Sequence, residues 1–385
     1  TYERFDDGSF QKTYTDENSN NIVENYDANG NITHKEVTNT DGITTRYDYE
    51  YDENNALIKE TSNDDNGNNT ITEYYEDGCS KKTSTDNEGN TIIENYNSNG
   101  KVTHKEETNS EGETTNYEYE YDENNVLKKL IKTDPNGNVT TTEYNDDETY
   151  TKSYTDEEGN SCVEQCYSND KVYKKEITDS EGATTTINYE YDENYNLKIS
   201  TEKHANGTEI VCEYNDDGSY TKTSTYTDGN KSVENYDTSE KLTHKEVTNS
   251  EGQTTTTEYE YDENNTLIKT TETDFNDKIT TNEYNEDGSF IRTYGDDYGN
   301  NIVENCYENG NVYHQEVTNS EGRTTKYDME YDENNNMTKQ FETDPDGNVK
   351  TYQYQENGYY TLTYIDSEGN EVTEEYDQDG NRIYG

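Results

Sequence analysis

The sequence predicts an all-β protein: tandem β-hairpin repeats that form one long antiparallel meander, coiled into a superhelical ribbon, solenoid or shell. Three observations predict it. The string Tyr-Asp-Glu-Asn recurs at Tyr51, Tyr121, Tyr191, Tyr261 and Tyr331, a constant interval of about 70 residues. Turn-forming residues punctuate each repeat at Asn55, Gly67, Gly78, Gly89, Gly100 and Gly112, with the next repeat restarting at Asn125. Between them, side chains alternate with period two, as in Tyr47-Asp48-Tyr49-Glu50-Tyr51, where tyrosines face one way and acids the other.

The turns set the strand length. Successive turn positions lie about 11 to 13 residues apart, each interval one strand plus one turn. Six strands make three hairpins per repeat. Asp, Asn or Ser opens most turns and can bond its own backbone two residues on, while Gly or Asn near the end accepts a positive φ. Asp134-Pro135-Asn136-Gly137 and Asp344-Pro345-Asp346-Gly347 place proline where φ is already set for a turn. The whole chain reads as a single array over 1–385: a partial unit 1–50, full units 51–120, 121–190, 191–260 and 261–330, and a partial unit 331–385. It opens in mid-repeat, as a piece cut from a longer protein would, so the lack of a signal-peptide pattern says nothing of secretion.

Apolar columns repeat at Leu57, Leu127, Leu197, Leu267 and Met337, at Val23, Ile93, Val163, Val233 and Val303, and at Ile32, Val102, Val172, Leu242 and Val312. They are thin, so the 40 tyrosines are expected to supply most of the buried area. The opposite face, rich in Glu, Asp, Thr, Lys and Asn, is expected to be solvated. About 33 strands at ~4.8 Å spacing would give a ribbon contour of about 160 Å, too long and twisted to stay flat. The expected coil turns the tyrosine face inward, three hairpins to each superhelical repeat.

Composition narrows the function. With 88 acidic and 30 basic residues the formal net charge is −58. Nucleic acid is excluded as a partner, because phosphate binding needs clustered Lys and Arg. Membrane insertion is excluded too, since no apolar stretch approaches a membrane span. Cations and cationic surfaces are favoured. Low hydrophobicity with high charge commonly means disorder, but a disordered chain does not hold Tyr, Leu and Gly in register over hundreds of residues.

No residue is assigned a catalytic, cofactor-binding or metal-ligating role. His34, His104, His244 and His314 form a column, each with a Glu two residues on, such as Glu36 and Glu106. His and Glu on one strand face could ligate a metal; Lys174 fills the same column, which favours a solvated position copied by duplication. The cysteines, Cys79, Cys162, Cys166, Cys212 and Cys306, follow no disulfide or metal spacing. Cys166 and Cys306 stand where other repeats have Tyr26, Tyr96, Tyr236 and Tyr376, as small apolar fillers. Asp344-Pro345-Asp346-Gly347 and Asp377-Gln378-Asp379-Gly380 echo calcium loops but lack the full ligand set. Turn chemistry accounts for them, leaving room for weak, distributed Ca²⁺ binding by the acidic surface and for no other cofactor. No motif of an enzyme is present, so the chain reads as non-enzymatic.

Tyr119-Glu120-Tyr121-Asp122-Glu123-Asn124-Asn125-Val126-Leu127, then Asp134-Pro135-Asn136-Gly137-Asn138, then Thr142-Glu143-Tyr144-Asn145 resembles the unit of the YD-repeat, or RHS-repeat, family. About sixteen such matches stand in register along essentially the whole chain. The resemblance implies a large secreted or surface protein of bacteria, akin to the teneurin shells of animals, in which hairpin repeats wind into a spiral shell. Some such shells enclose a toxic C-terminal domain; others serve adhesion or cell-wall association, and carbohydrate binding is suggested for them. Three departures stand out. Asn55, Asn125, Asn265 and Asn335 replace the usual glycine, the arginine after it is mostly absent, and the terminal plug of toxin-bearing members has no counterpart. The expected role is a structural scaffold, a stalk or shell segment located outside the cell or on a bacterial surface. The alternatives are an adhesin module that binds a glycan or a cell-surface protein, and the shell segment of a polymorphic toxin.

Overall fold

The computed structural model describes residues 1–384 and is all-β, with 34 strands and no helix among those residues. Most strands have six to eight residues; Tyr2–Arg4 and Arg382–Tyr384 have three. The chain forms two compact units, Thr1–Tyr189 and Glu190–Gly385. In the first, strands pair antiparallel in sequence order from Tyr2–Arg4 to Thr184–Tyr191. In the second, the same order runs from Leu197–Lys203 to Arg382–Tyr384. This is the antiparallel meander expected from the hairpin arithmetic.

One repeat shows the pattern. Its strands are Ser80–Thr85, Thr91–Tyr96, Val102–Thr108, Thr114–Tyr121, Leu127–Thr133 and Val139–Tyr144; the next repeat begins at Tyr150, the counterpart of Ser80. The uneven spacing of the turns has a local cause. The register shifts at the Val102/His104 and Glu120/Tyr121 steps, where a β-bulge takes up an extra residue. Shifts recur at the equivalent steps, Asn235/Tyr236 and Glu260/Tyr261.

The turns are built as their residues dictate. The Asp16 carboxylate accepts the backbone N–H of Asn18 and Asn20, both at 2.9 Å, and the Asn20 amide returns a bond at 3.0 Å. Asp344 and Asp377 are used in the same way by Asn348 and Asn381, so these calcium-like strings serve turn closure. Asn55, Asn125, Asn265 and Asn335 take φ of 61–63°, the left-handed conformation that lets Asn replace Gly there.

The packing departs from the expected core. Strand contacts run between sequence neighbours among the described residues. The surface is 24385 Å², against about 15,600 Å² for a globular chain of 44.5 kDa. The buried apolar side chains among the described residues are Ile22, Cys162, Cys166, Ile302 and Cys306. The tyrosine face is therefore half-buried rather than a dry core. The column from Val23 to Val303 is also only half-buried, and the buried position is one residue earlier, at Ile22, Cys162, Ser232 and Ile302.

Candidate functional site

Two rows run along the tyrosine face. One lies beside the turns that bear Tyr-Asp-Glu-Asn. There the ring of Tyr220 stacks on Tyr236 at 4.5 Å and lies 5.5 Å from Tyr214. Phe10 stacks on Tyr26 at 4.5 Å, and Tyr360 on Tyr376 at 4.9 Å. The Tyr-Asp-Glu-Asn tyrosines join this row and tie it to the backbone: Tyr51, Tyr121, Tyr261 and Tyr331 donate to the carbonyls of Ile32, Val102, Leu242 and Val312 at 2.7–2.9 Å. Cys166 and Cys306 sit in the Tyr26 column, fully buried, and burial pushes their thiols up, away from nucleophilic reactivity. All five cysteines are free.

The second row is polar and corrects the expectation that the acidic side chains stay on the solvated face. Glu24, Glu94, Glu164, Glu234, Glu304 and Glu374 recur once per repeat on the tyrosine face, and Glu24, Glu304 and Glu374 are buried. Cross-strand register places cations on both sides of most of them. The rows read Lys12–Glu24–Lys35, Lys82–Glu94–Lys105, Lys152–Glu164–Lys175 and Lys222–Glu234–Lys245, then Arg292–Glu304–Gln315. Lys175 reaches Glu164 at 3.1 Å, Lys245 reaches Glu234 at 3.0 Å, and Arg292 reaches Glu304 at 3.3 Å.

Phenols complete each carboxylate. Tyr26, Tyr96, Tyr236 and Tyr376 donate to the glutamate two residues before them at 2.6–3.0 Å. Tyr14, Tyr154 and Tyr294 donate from the neighbouring strand at 2.7–3.0 Å. Burial alone would raise the Glu164 carboxyl, but the bonds from Tyr154 and Lys175 outweigh it and hold the group below the ordinary carboxylate value. Glu234 is held down in the same way by Lys245 and Tyr236. Burial, then the bond to glutamate, pushes Tyr26, Tyr96 and Tyr236 up to about 12. Such a row fixes register, because a slip by one residue would move the carboxylate to the other face and leave its cations without partners.

The histidine column lies on the opposite face. Each ring bridges two carboxylates: His104 Nδ1 to Glu118 at 2.7 Å and Nε2 to Glu106 at 3.1 Å, with His34, His244 and His314 alike. The two nitrogens point to different acids, so these ligands do not converge on one point. Desolvation lowers the His104 pKa, but the bonds to Glu106 and Glu118 win and the group ends above its ordinary value. Lys174 pairs with Glu176 at 2.8 Å in the gap of the column. The position is thus an ion-pairing one, on which histidine and lysine are interchangeable.

Exposed aromatics stand at turns. Tyr298 is 88% exposed, and Tyr75 and Tyr307 about half. A groove of about 520 Å³ lies beside Tyr307 and Tyr331, whose rings meet edge-on at 6.5 Å, with Asp287, Glu308 and Asp332 along it. No helix among the described residues is long and apolar enough to cross a membrane.

No protein-family model matches the chain, and no curated protein matches it. Solved structures that it is similar to include the crystal structure of TcdB2-TccC3 without its hypervariable C-terminal region, at 12% identity and a TM-score of 0.24. That match covers 100% of this chain and 30% of the other, so this chain spans under a third of its length. A porin-like protein from Bacteroides uniformis matches at 13% identity and a TM-score of 0.21, over 56% of this chain and 92% of that one. The TCP10 domain of Danio rerio CPAP matches at 14% identity and a TM-score of 0.12, over 71% and 93%.

Proposed function

We propose that the chain is a non-enzymatic structural scaffold, a stalk or shell segment of a large bacterial surface or secreted protein. The observation that carries this reading is the recurrence of the cation–glutamate–cation row at the same register in successive repeats. Polar side chains on the tyrosine face are consumed in holding strand to strand, as a repeat array requires. The location outside the cell follows from the resemblance to YD repeats. Truncation tests the scaffold: arrays of two, three and five repeats should melt at rising temperatures, since each repeat adds an interface. A two-repeat array as stable as the full chain would sink the reading.

A second reading, an adhesin module for a glycan or a surface protein, is favoured by the Tyr307–Tyr331 groove, where aromatic faces and acceptors lie side by side. A glycan array with the purified chain tests it, and binding that survives Tyr307→Ala would argue against that groove.

A further inference from the structure

The six copies of the second row differ at one place, and there a cavity reaches the glutamate and its lysine. The column that faces the glutamate from the preceding strand reads Tyr14, Ser84, Tyr154, Ser224, Tyr294 and Tyr364. Where tyrosine is present, its hydroxyl lands on Oε1 of the glutamate, as Tyr154 does on Glu164 at 2.7 Å. In that copy the phenol also receives Lys175 at 3.1 Å, so it sits between carboxylate and ammonium. Directly across from Tyr14, Tyr154 and Tyr294 stand Ile22, Cys162 and Ile302.

In the copy at residue 224 both large partners are gone. Ser224 pairs with Ser232, at 5% and 8% exposure. The turn that follows opens with Tyr226, where Asp16, Asp86, Asp156, Asp296 and Asp366 stand elsewhere. A cavity of about 490 Å³ lies beside this pair, lined in part by Tyr226, Ser232, Glu234, Lys245 and Val247, so that the glutamate and lysine of the row open onto it. Ser232 Oγ is the one buried side-chain polar atom without a hydrogen-bond partner among the described residues. Glu234 Oε1 takes Lys245 at 3.0 Å, while the phenol that reaches this oxygen in other copies is replaced by the short Ser224 side chain. The Ser84 copy is different: Ser84 bonds Thr70 at 3.2 Å, Ile92 remains across from it, and the cavities beside Ile92, of about 220 and 400 Å³, are lined by neither Glu94 nor Lys105.

We propose that the cavity over Ser232 binds a ligand that presents a phenol. The ring packs against Tyr226 and Val247. Its hydroxyl takes the place between Glu234 and Lys245 that the Tyr154 hydroxyl takes between Glu164 and Lys175, and Ser232 supplies a further hydrogen bond. The chain's other repeats thus define the chemistry of the occupant, since they fill the equivalent place with a phenol of their own.

Calorimetric titration of the full chain with 4-methylphenol, and separately with N-acetyltyrosinamide, tests the assignment. Saturable binding at one site is expected. It should weaken by at least roughly tenfold in Ser224→Tyr, which puts the array's own phenol on Glu234 and recreates an arrangement that already folds at Tyr154. If Ser224→Tyr fails to fold, Ser232→Ile fills the cavity with the residue of the Ile22 copy and gives the same reading. A tyrosine amide that binds roughly tenfold tighter than 4-methylphenol assigns the phenol to a partner polypeptide; equal affinity assigns it to a small molecule. No saturable binding to the unaltered chain, or affinity unchanged in the cavity-filled variant, overturns the proposal.

Discussion

The Tyr154 hydroxyl donates to Glu164 across neighbouring strands at 2.7 Å, and the copy that makes this bond is one that has lost the in-strand phenol, with Cys166 in its place. The reverse holds at Ser84 and Tyr96, and again at Ser224 and Tyr236, where the cross-strand phenol is missing and the in-strand one remains. Each of these glutamates therefore keeps at least one phenol.

That exchange predicts compensation. Tyr154→Ser should destabilise its hairpin by roughly 1–3 kcal/mol, through a lost bond to a carboxylate and lost packing. Adding Cys166→Tyr should recover most of the loss, because the double variant copies the Ser84–Tyr96 arrangement. Amide hydrogen exchange across Ser161–Cys166 is the measurement; protection that stays as low in the double variant as in the single one would refute the exchange.

Alkaline titration should split the tyrosines into two classes. Tyr26, Tyr96, Tyr236 and Tyr294 are pushed up to about 12, by burial first and by their glutamates second. A folded pKa above the ordinary 10.0 contributes stability that is fully present below 10 and is lost as pH rises through the folded value. Phenolate absorbance should accordingly show a delayed phase near 12 that coincides with loss of β-structure by circular dichroism. Glu94→Gln should bring Tyr96 part of the way back; a titration indistinguishable from free tyrosine would contradict the row.

The net charge of −58 implies self-repulsion that salt screens. Raising NaCl from about 0.05 to about 0.5 M should raise the melting temperature by several degrees. Calcium at equal ionic strength should raise it further, and a chelator should reverse the extra rise. Superimposable calcium and sodium curves would remove weak Ca²⁺ binding from the account.

Glu240 takes φ of 61° at the turn position held by Gly30, Gly100 and Gly310. Glu240→Gly should stabilise the chain by up to about 1 kcal/mol, by relieving a left-handed side-chain residue. A fall in the unfolding midpoint would show that the Glu240 side chain matters more than its backbone.

The meander was legible because two periods coincide along the chain: regularly spaced turn residues, and tyrosines on alternate residues within strands. The rows were not. Ile32, Tyr51 and Leu57 read as separate columns in one dimension, and only the bulges at Tyr26 and Tyr51 bring Ile32 and Leu57 to the tyrosine face. The buried glutamates looked like any other acid in a chain of 88. A signal was present: Glu24 recurs in all six copies while its neighbour varies among Asn25, Gln165 and Glu375, and Lys12 and Lys35 have partners at the same spacing. What reveals the pairing is register, and register across a hairpin depends on turn geometry that composition does not encode. The thin core has the same origin, since half-buried tyrosines look identical in sequence to fully packed ones.

Because each strand is held by its sequence neighbours, the array should answer tension hairpin by hairpin. Pulled from its ends, such an array is expected to lengthen at a low and nearly constant force and to re-form from whatever remains folded. Single-molecule extension should show a series of small steps; one abrupt rupture of the whole chain would mean that the strands share load in a way their contacts do not suggest.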